Sequence, residues 1–200
     1  PRVLALAFIY FANITTNLGI AFFLPQIIKS QGVSDVAANY ISSIPFVLGM
    51  LGVLLFGVLA DRFRAHRKAL LVLSLGISAA GLAGAGLAGA TYASIVLIAL
   101  ASIGIYGAKG PFWPPPSMFL TGSAAAGGIA LINSVGNLGG FVGPYMIGYV
   151  KTATGSYVSA LYMLAGFAVA AAVVSLMLRS PSTIEVDGTA AVRASKSGNS

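Results

Sequence analysis

Two pieces of sequence decide the fold: KGPFWPPP (Lys109–Pro116) and GGIALINSVGNLGGFVGP (Gly127–Pro144). The first places a lysine and several prolines in an apolar span, and the second carries two asparagines among glycines. In lipid, an unsatisfied polar group costs free energy, and irregular backbone persists only where protein encloses it or where it lines a cavity. The stretch therefore predicts the wall of a polar cavity inside a membrane protein.

Composition places the whole chain in the membrane class. Charged residues make up 8% of its 200 residues and hydrophobic residues 58%, whereas a soluble domain has about 25% charged residues. The chain has no cysteine and a single histidine, His66, so we expect no disulfide, no metal site and no cofactor. The net charge of +7 is assigned to topology signals beside membrane spans rather than to nucleic-acid binding.

Six apolar runs approach the ~20 residues that a helix needs to cross a bilayer. They cover residues 3–24, 36–60, 69–90, 92–119, 124–150 and 158–178. These runs predict an all-α membrane protein with a six-helix transmembrane bundle over residues 1–180. The remaining residues, 181–200, lack any apolar run and predict a disordered cytoplasmic tail.

Basic residues orient the predicted bundle. Eight lysines and arginines flank one set of span ends, which includes both termini and the loop 61–68. Two, Lys29 and Lys151, flank the other set, and Lys109 belongs to neither. Because lysine and arginine accumulate on the cytoplasmic side of membrane proteins, both termini and the loop 61–68 are predicted to be cytoplasmic.

Polar residues are concentrated in the first, fourth and fifth predicted spans. In each span they recur at helical spacing, which places them on one face of a helix. The stripes are Tyr10, Asn13 and Asn17 in the first span, Ser102, Tyr106, Lys109 and Trp113 in the fourth, and Asn133 and Asn137 in the fifth. These three faces are predicted to meet at a polar centre.

Two interpretations of these stripes stay open. Asparagines commonly hydrogen-bond between membrane helices, and a lysine near a membrane surface can snorkel to water. Alternatively, the stripes line a site in which Lys109 attracts a carboxylate, because an ammonium deep in lipid needs a partner or water. The substrate-binding residues predicted on this interpretation are Trp113, Asn133, Lys109, Asn137, Asn13, Asn17 and Tyr106.

Glycines in the fifth span predict close helix packing. Gly136 and Gly140, and Gly139 and Gly143, form two overlapping GxxxG pairs. Such pairs allow helix backbones to approach each other in membranes.

The loop GVLADRFRAHRK (Gly57–Lys68) resembles the cytoplasmic loop motif of the major facilitator superfamily, G-x-L-x-D-R-x-G-R-R/K. In that superfamily the motif lies between the second and third helices of each six-helix half, which is its position here. The resemblance implies a gating motif formed by Gly57, Asp61, Arg62 and Arg67. The chain departs from the motif at its glycine, where it has RAH (Arg64–His66).

A second resemblance covers most of the chain. The stretches FFLPQIIKSQG (Phe22–Gly32) and GPFWPPPSMFLTGSAAAGGIALINSVGNLGGFVGPYMIGYVKTATGSY (Gly110–Tyr157) are similar to the second half of the anion:cation symporter family, in its tartrate and phthalate permease-like branch. In that family the tenth helix contributes a tryptophan and the eleventh an asparagine to the substrate site, which correspond to Trp113 and Asn133. Relatives usually have one proline beside this tryptophan, and this chain has three.

The resemblance implies the C-terminal half of a twelve-helix transporter in a bacterial inner membrane. It implies proton-coupled symport of a small organic anion, such as a sugar acid, a dicarboxylate or an aromatic acid, by alternating access. The partners are then the anion, a proton, lipid and a missing N-terminal half that carries the coupling acids. A non-transporting, receptor-like membrane module is the alternative. An intramembrane enzyme is disfavoured because no mid-span acid, histidine or cysteine supplies a nucleophile–base pair.

Overall fold

The computed structural model describes residues 2–114 and 122–178, and every regular element in these two ranges is helical. The side chains of residues 122–125 are not described. The helices are α1 (Arg2–Lys29), α2 (Asp35–Arg62), a 3-10 turn (Arg64–His66), α3 (Arg67–Ala88), α4 (Tyr92–Gly107), α5 (Lys109–Phe112), α6 (Gly122–Asn137), α7 (Gly139–Thr154) and α8 (Tyr157–Met177). The predicted tail, 181–200, and two prolines of the predicted break, Pro115 and Pro116, lie outside the described residues.

Five helical segments of the described chain are long and apolar enough to cross a bilayer. They are Arg2–Lys29, Asp35–Arg62, Arg64–Ala88, Tyr92–Phe112 and Tyr157–Met177. The predicted fifth span, 124–150, is instead divided between α6 and α7, which have 16 residues each. Neither reaches the ~20 residues that span a bilayer alone, so the sixth membrane helix of the predicted bundle stays a prediction.

The division between α6 and α7 has a local cause. Around Leu138 the backbone bonds reach over three residues: the Leu138 N–H donates to the Val135 carbonyl, and the Phe141 N–H donates to the Leu138 carbonyl. This tighter 3-10 pattern is common at helix ends and joints. Two glycines, Gly139 and Gly140, follow immediately and weaken helix propensity.

Capping residues set the turns between the long helices. Ser34 caps α2 by accepting a hydrogen bond from the Ala37 N–H, and Ser156 caps α8 in the same way. Gly155 ends α7 in a left-handed conformation, with φ at 74°, which glycine adopts without strain. An ion pair of 2.9 Å between Lys29 and Asp35 joins the ends of α1 and α2.

The bundle forms around two central helices, α1 and α4. α4 lies between α2 and α3, and α1 packs against α6, α7 and α8. A buried apolar core joins the two groups through large side chains such as Leu24, Ile98 and Leu164. This arrangement brings the polar stripes of α1 and α4 next to each other.

Glycine permits close contact between the backbones of α1 and α7. A Cβ added at Gly143 would overlap the Thr15 carbonyl oxygen, and one at Gly139 would overlap the Phe11 carbonyl oxygen. The predicted close packing is therefore confirmed for Gly139 and Gly143. The other pair faces side chains of α1 rather than its backbone: Gly136 faces Tyr10, and Gly140 faces Leu18.

We expect Gly143→Ala to destabilise the protein by about 1–3 kcal/mol, because its new methyl group would meet helix backbone that cannot rotate away. Thermal unfolding in lipid nanodiscs measures the effect. Gly148→Ala in the same helix is the matched control, since a Cβ there meets only the Phe23 ring at 3.6 Å, an ordinary contact. Equal melting temperatures for the two variants would contradict the close α1–α7 crossing.

Candidate functional site

The site begins at a break in the fourth span. α4 ends at Gly107, and the four-residue α5 follows from Lys109 to Phe112. Pro111 has no N–H, so it cannot donate the helical hydrogen bond to the Gly107 carbonyl. Gly110 lies against the backbone of α2, where a Cβ would come within 2.9 Å of the Gly57 Cα. The break therefore occurs where the chain is tightly packed against a neighbouring helix.

Lys109 lies half-buried at this break. Its Nζ is 4.8 Å from the centroid of the Tyr106 ring, one helical turn earlier, so a cation–π interaction stabilises the ammonium. In the two described ranges no carboxylate lies within ion-pair distance of Lys109. The charge thus has an aromatic neighbour and no protein counter-ion there.

A small cleft opens beside this lysine, between α1, α3 and the α4–α5 break. Its walls are mainly apolar. It is lined by Ile9, Tyr10, Asn13, Leu71, Leu75, Ala108, Lys109 and Phe112. Lys109 therefore lies at the wall of a small cleft that Tyr10 and Asn13 of α1 also line.

An aromatic cluster forms the next wall of the site. Tyr10 stacks on Phe112, with ring centroids 5.4 Å apart and planes at 14°. The Trp113 indole meets Tyr10 edge-on at 5.1 Å and Phe112 edge-on at 5.4 Å. Edge-to-face geometry is favourable for aromatic pairs at these distances. Trp113 is half-buried and presents the remainder of its ring outward.

The two asparagines of α1 are buried and differ in their bonding. The Asn13 Nδ2 donates to the Ile105 carbonyl at 3.0 Å, which joins α1 to α4. Asn17 lies beside Tyr106, and its Nδ2 has no hydrogen-bond partner among the described residues. The Thr15 Oγ1 is also buried without a described partner. Leaving a buried polar group unpaired costs about 1–3 kcal/mol, so water or a ligand is favoured there.

The two asparagines of α6 are exposed and bonded to each other. The Asn137 Nδ2 donates to the Asn133 Oδ1 at 3.0 Å. No hydrogen bond joins either side chain to Lys109 or Trp113 in the part of the chain that the structure describes. The structure therefore brings together the α1 and α4–α5 residues, whereas the α6 pair forms a polar row on an open face of the bundle.

The residues of the loop motif lie at the ends of α2 and α3. The Arg67 Nη2 pairs with the Asp61 Oδ1 at 3.5 Å, and the Arg67 Nε donates to the Ala60 carbonyl at 3.0 Å. Arg62 is exposed, and Gly57 meets Gly110 as described above. Arg67, the first residue of α3, thus ties the start of that helix to the end of α2.

Two features near these sites were not predicted from the sequence: the contact of Lys68 with the end of α8, and the aromatic contacts of Tyr10. The Lys68 Nζ donates to the carbonyls of Leu176 and Leu178, at 2.7 and 2.6 Å, and so satisfies the C-terminal end of α8. No spacing in the sequence indicates this contact, because the partners are far apart along the chain. Tyr10, at the centre of the aromatic cluster, was detectable only through its spacing with Asn13 and Asn17.

A family model for the major facilitator superfamily matches residues 6–197. The chain is 43% identical over 186 residues to a putative tartrate transporter of Agrobacterium vitis, an alignment that covers 92% of this chain and 41% of that protein. A second putative tartrate transporter of the same organism is 40% identical over 177 residues, covering 88% of this chain and 41% of that protein.

A quinolone resistance transporter of Acinetobacter baumannii is 38% identical over 164 residues, covering 82% of this chain and 38% of that protein. The chain therefore spans less than half the length of these curated relatives. The family and the names of the relatives point to a transporter and not an enzyme. The family model matches residues 6–197, and the chain has apolar helices long enough to cross a bilayer. This integral membrane chain therefore belongs to the major facilitator superfamily.

Proposed function

We propose that this chain is the C-terminal six-helix half of a proton-coupled symporter for a small organic anion. The observation that carries the proposal is Lys109, a half-buried cation without a described counter-ion beside a helix break. Two relatives are named putative tartrate transporters, and tartrate is such an anion. The fraction of these relatives that the chain covers, 41%, supports a half-length chain.

The chemistry of the site suits a carboxylate. A cation–π contact offsets only part of the cost of burying an ammonium, so an anion that reaches Lys109 gains a charge-assisted hydrogen bond. The unpartnered Asn17 Nδ2 lies beside Tyr106 and is available as a further hydrogen-bond donor. We assign the Trp113 indole, which contacts Tyr10 and Phe112, to the wall of this site.

The asparagine row of α6 supplies the proposed contact with the other half. Substrate sites in transporters of this kind lie near the midplane, between the two structural repeats. Asn133 and Asn137 share one hydrogen bond on an exposed face, and their remaining amide atoms have no hydrogen-bond partner among the described residues. We assign them to the surface that meets the substrate and the N-terminal half.

We assign the cytoplasmic gate to this chain and the proton-coupling acids to the N-terminal half. The Asp61–Arg67 pair holds the facing ends of α2 and α3, and we assign it to the cytoplasmic gate of a bacterial inner-membrane protein with both termini inside. The described acids, Asp35 and Asp61, lie at helix ends, so the proton-coupling acids are assigned to the N-terminal half.

The full-length protein in liposomes should accumulate tartrate when an inward proton gradient is applied, and Lys109→Ala should weaken this uptake. Loss of a charge-assisted hydrogen bond, on the order of 1–3 kcal/mol, raises the apparent KM roughly five- to hundredfold. Lys29→Ala is the matched control, because Lys29 is an exposed cation paired with Asp35, and it should leave the KM unchanged. Absence of gradient-driven uptake would refute the symporter, and an unchanged KM in Lys109→Ala would reduce that lysine to a snorkelling residue.

Asn13→Ala and Asn133→Ala should separate helix contacts from substrate contacts. Asn13 donates to a carbonyl of α4, so its removal should lower the melting temperature while the tartrate affinity holds. Asn133→Ala should weaken affinity roughly fivefold, the equivalent of about 1 kcal/mol for one neutral hydrogen bond, with little loss of stability. Calorimetric titration measures the tartrate affinity of each variant, and thermal unfolding measures its stability. Lower affinity in Asn13→Ala together with lower stability in Asn133→Ala would reverse the two assignments.

A further inference from the structure

One side chain, Tyr10 of α1, touches both of the other elements that carry proposed substrate contacts. On the α5 side its ring stacks on Phe112 and meets the Trp113 indole. On the α6 side it lies against Gly136, where an added Cβ would overlap the ring atoms of Tyr10. Gly136 lies one residue before Asn137 and three after Asn133. A single ring therefore separates the tryptophan of the site from the helix that carries the asparagines.

The glycine at this contact accommodates a ring rather than a backbone. Gly139 and Gly143 are close to main-chain atoms of α1, whereas the atoms nearest to Gly136 all belong to the Tyr10 ring. The space between α1 and α6 at this level is thus set by the thickness of an aromatic side chain. Any residue larger than glycine would push that ring toward Phe112 and Trp113.

The orientation of Trp113 depends on the same ring. Trp113 follows directly after the four-residue helix α5 and lies outside the long helix α4. Its described ring contacts are with Tyr10 and Phe112. Edge-to-face contacts are directional, so a shift of Tyr10 changes where the indole points.

We propose that Tyr10 is a positioning residue that fixes the Trp113 indole relative to α6. It sets the separation between the tryptophan wall and the Asn133 amide, and it acts through its ring rather than its hydroxyl. This inference rests on the proposed function, because it assigns Tyr10 a role at the same site. It extends that function by naming the side chain that determines the width of the site, and so the size of the anion that fits.

The test uses the emission of Trp113, the single tryptophan of this chain, in the full-length protein. The difference between the parent and Trp113→Phe isolates this emission from that of any other tryptophan. Tyr10→Leu removes the ring, and Gly136→Ala displaces it from the α6 side without touching Trp113. Both should shift the isolated emission maximum and weaken tartrate binding about tenfold, the loss expected when a well-oriented aromatic contact is removed. Tyr10→Phe keeps the ring and should retain the emission maximum of the parent and a tartrate affinity within about twofold of the parent.

Gly140→Ala is the matched control one turn further along. Its added Cβ would meet a terminal methyl group of the flexible Leu18 side chain at 2.7 Å, and the emission of Trp113 should not change. Unchanged emission in folded Gly136→Ala would overturn the positioning role, even where Tyr10→Leu fails to fold. Loss of affinity in Tyr10→Phe with intact emission would also overturn it, because the hydroxyl would then be the acting group. If Gly136→Ala shifts the Trp113 emission but the parent protein binds no tartrate, the positioning role is retained and the proposed function is refuted.

Discussion

An ammonium inside an apolar bundle is the constraint on which this structure depends. Lys109 is half-buried, its described neighbour is the Tyr106 ring at 4.8 Å, and no carboxylate pairs with it in the two described ranges. A charge in such a place needs water or a counter-ion. Lys109 begins α5 at the helix break, and it lines the cleft together with Tyr10 and Phe112 of the aromatic cluster.

Part of this arrangement was predictable from the sequence because it depends on helical period. The spacing of Tyr106 and Lys109 put them on one face, and the structure has them in contact. Apolar run length predicted α2, α3 and α8 to within two residues at each end, whereas α1 continues through Pro25 to Lys29, five residues beyond the predicted span. The division of the fifth span at Leu138 was not predicted, because it depends on a local change of hydrogen bonding that leaves the apolar pattern unaltered.

The site itself was harder to predict, because it depends on which helices cross and where. Asn13 and Asn133 look alike in sequence, yet one is buried and bonded to α4, and the other is exposed and bonded to its own helix. Tyr10 gave a weak signal for the same reason: its contacts with Trp113 and Gly136 come from distant parts of the chain. Periodicity identified the polar faces, and tertiary packing determined which of them are buried and which are exposed.

The central claim is that a substrate carboxylate compensates Lys109. A structure of the full-length protein with bound tartrate tests it most directly. The account predicts a carboxylate oxygen at about 2.7–2.9 Å from the Lys109 Nζ, the usual length of such a charge-assisted bond, with the Trp113 ring against the same molecule. Tartrate bound elsewhere, with Lys109 paired to an acidic side chain of the N-terminal half, would contradict it.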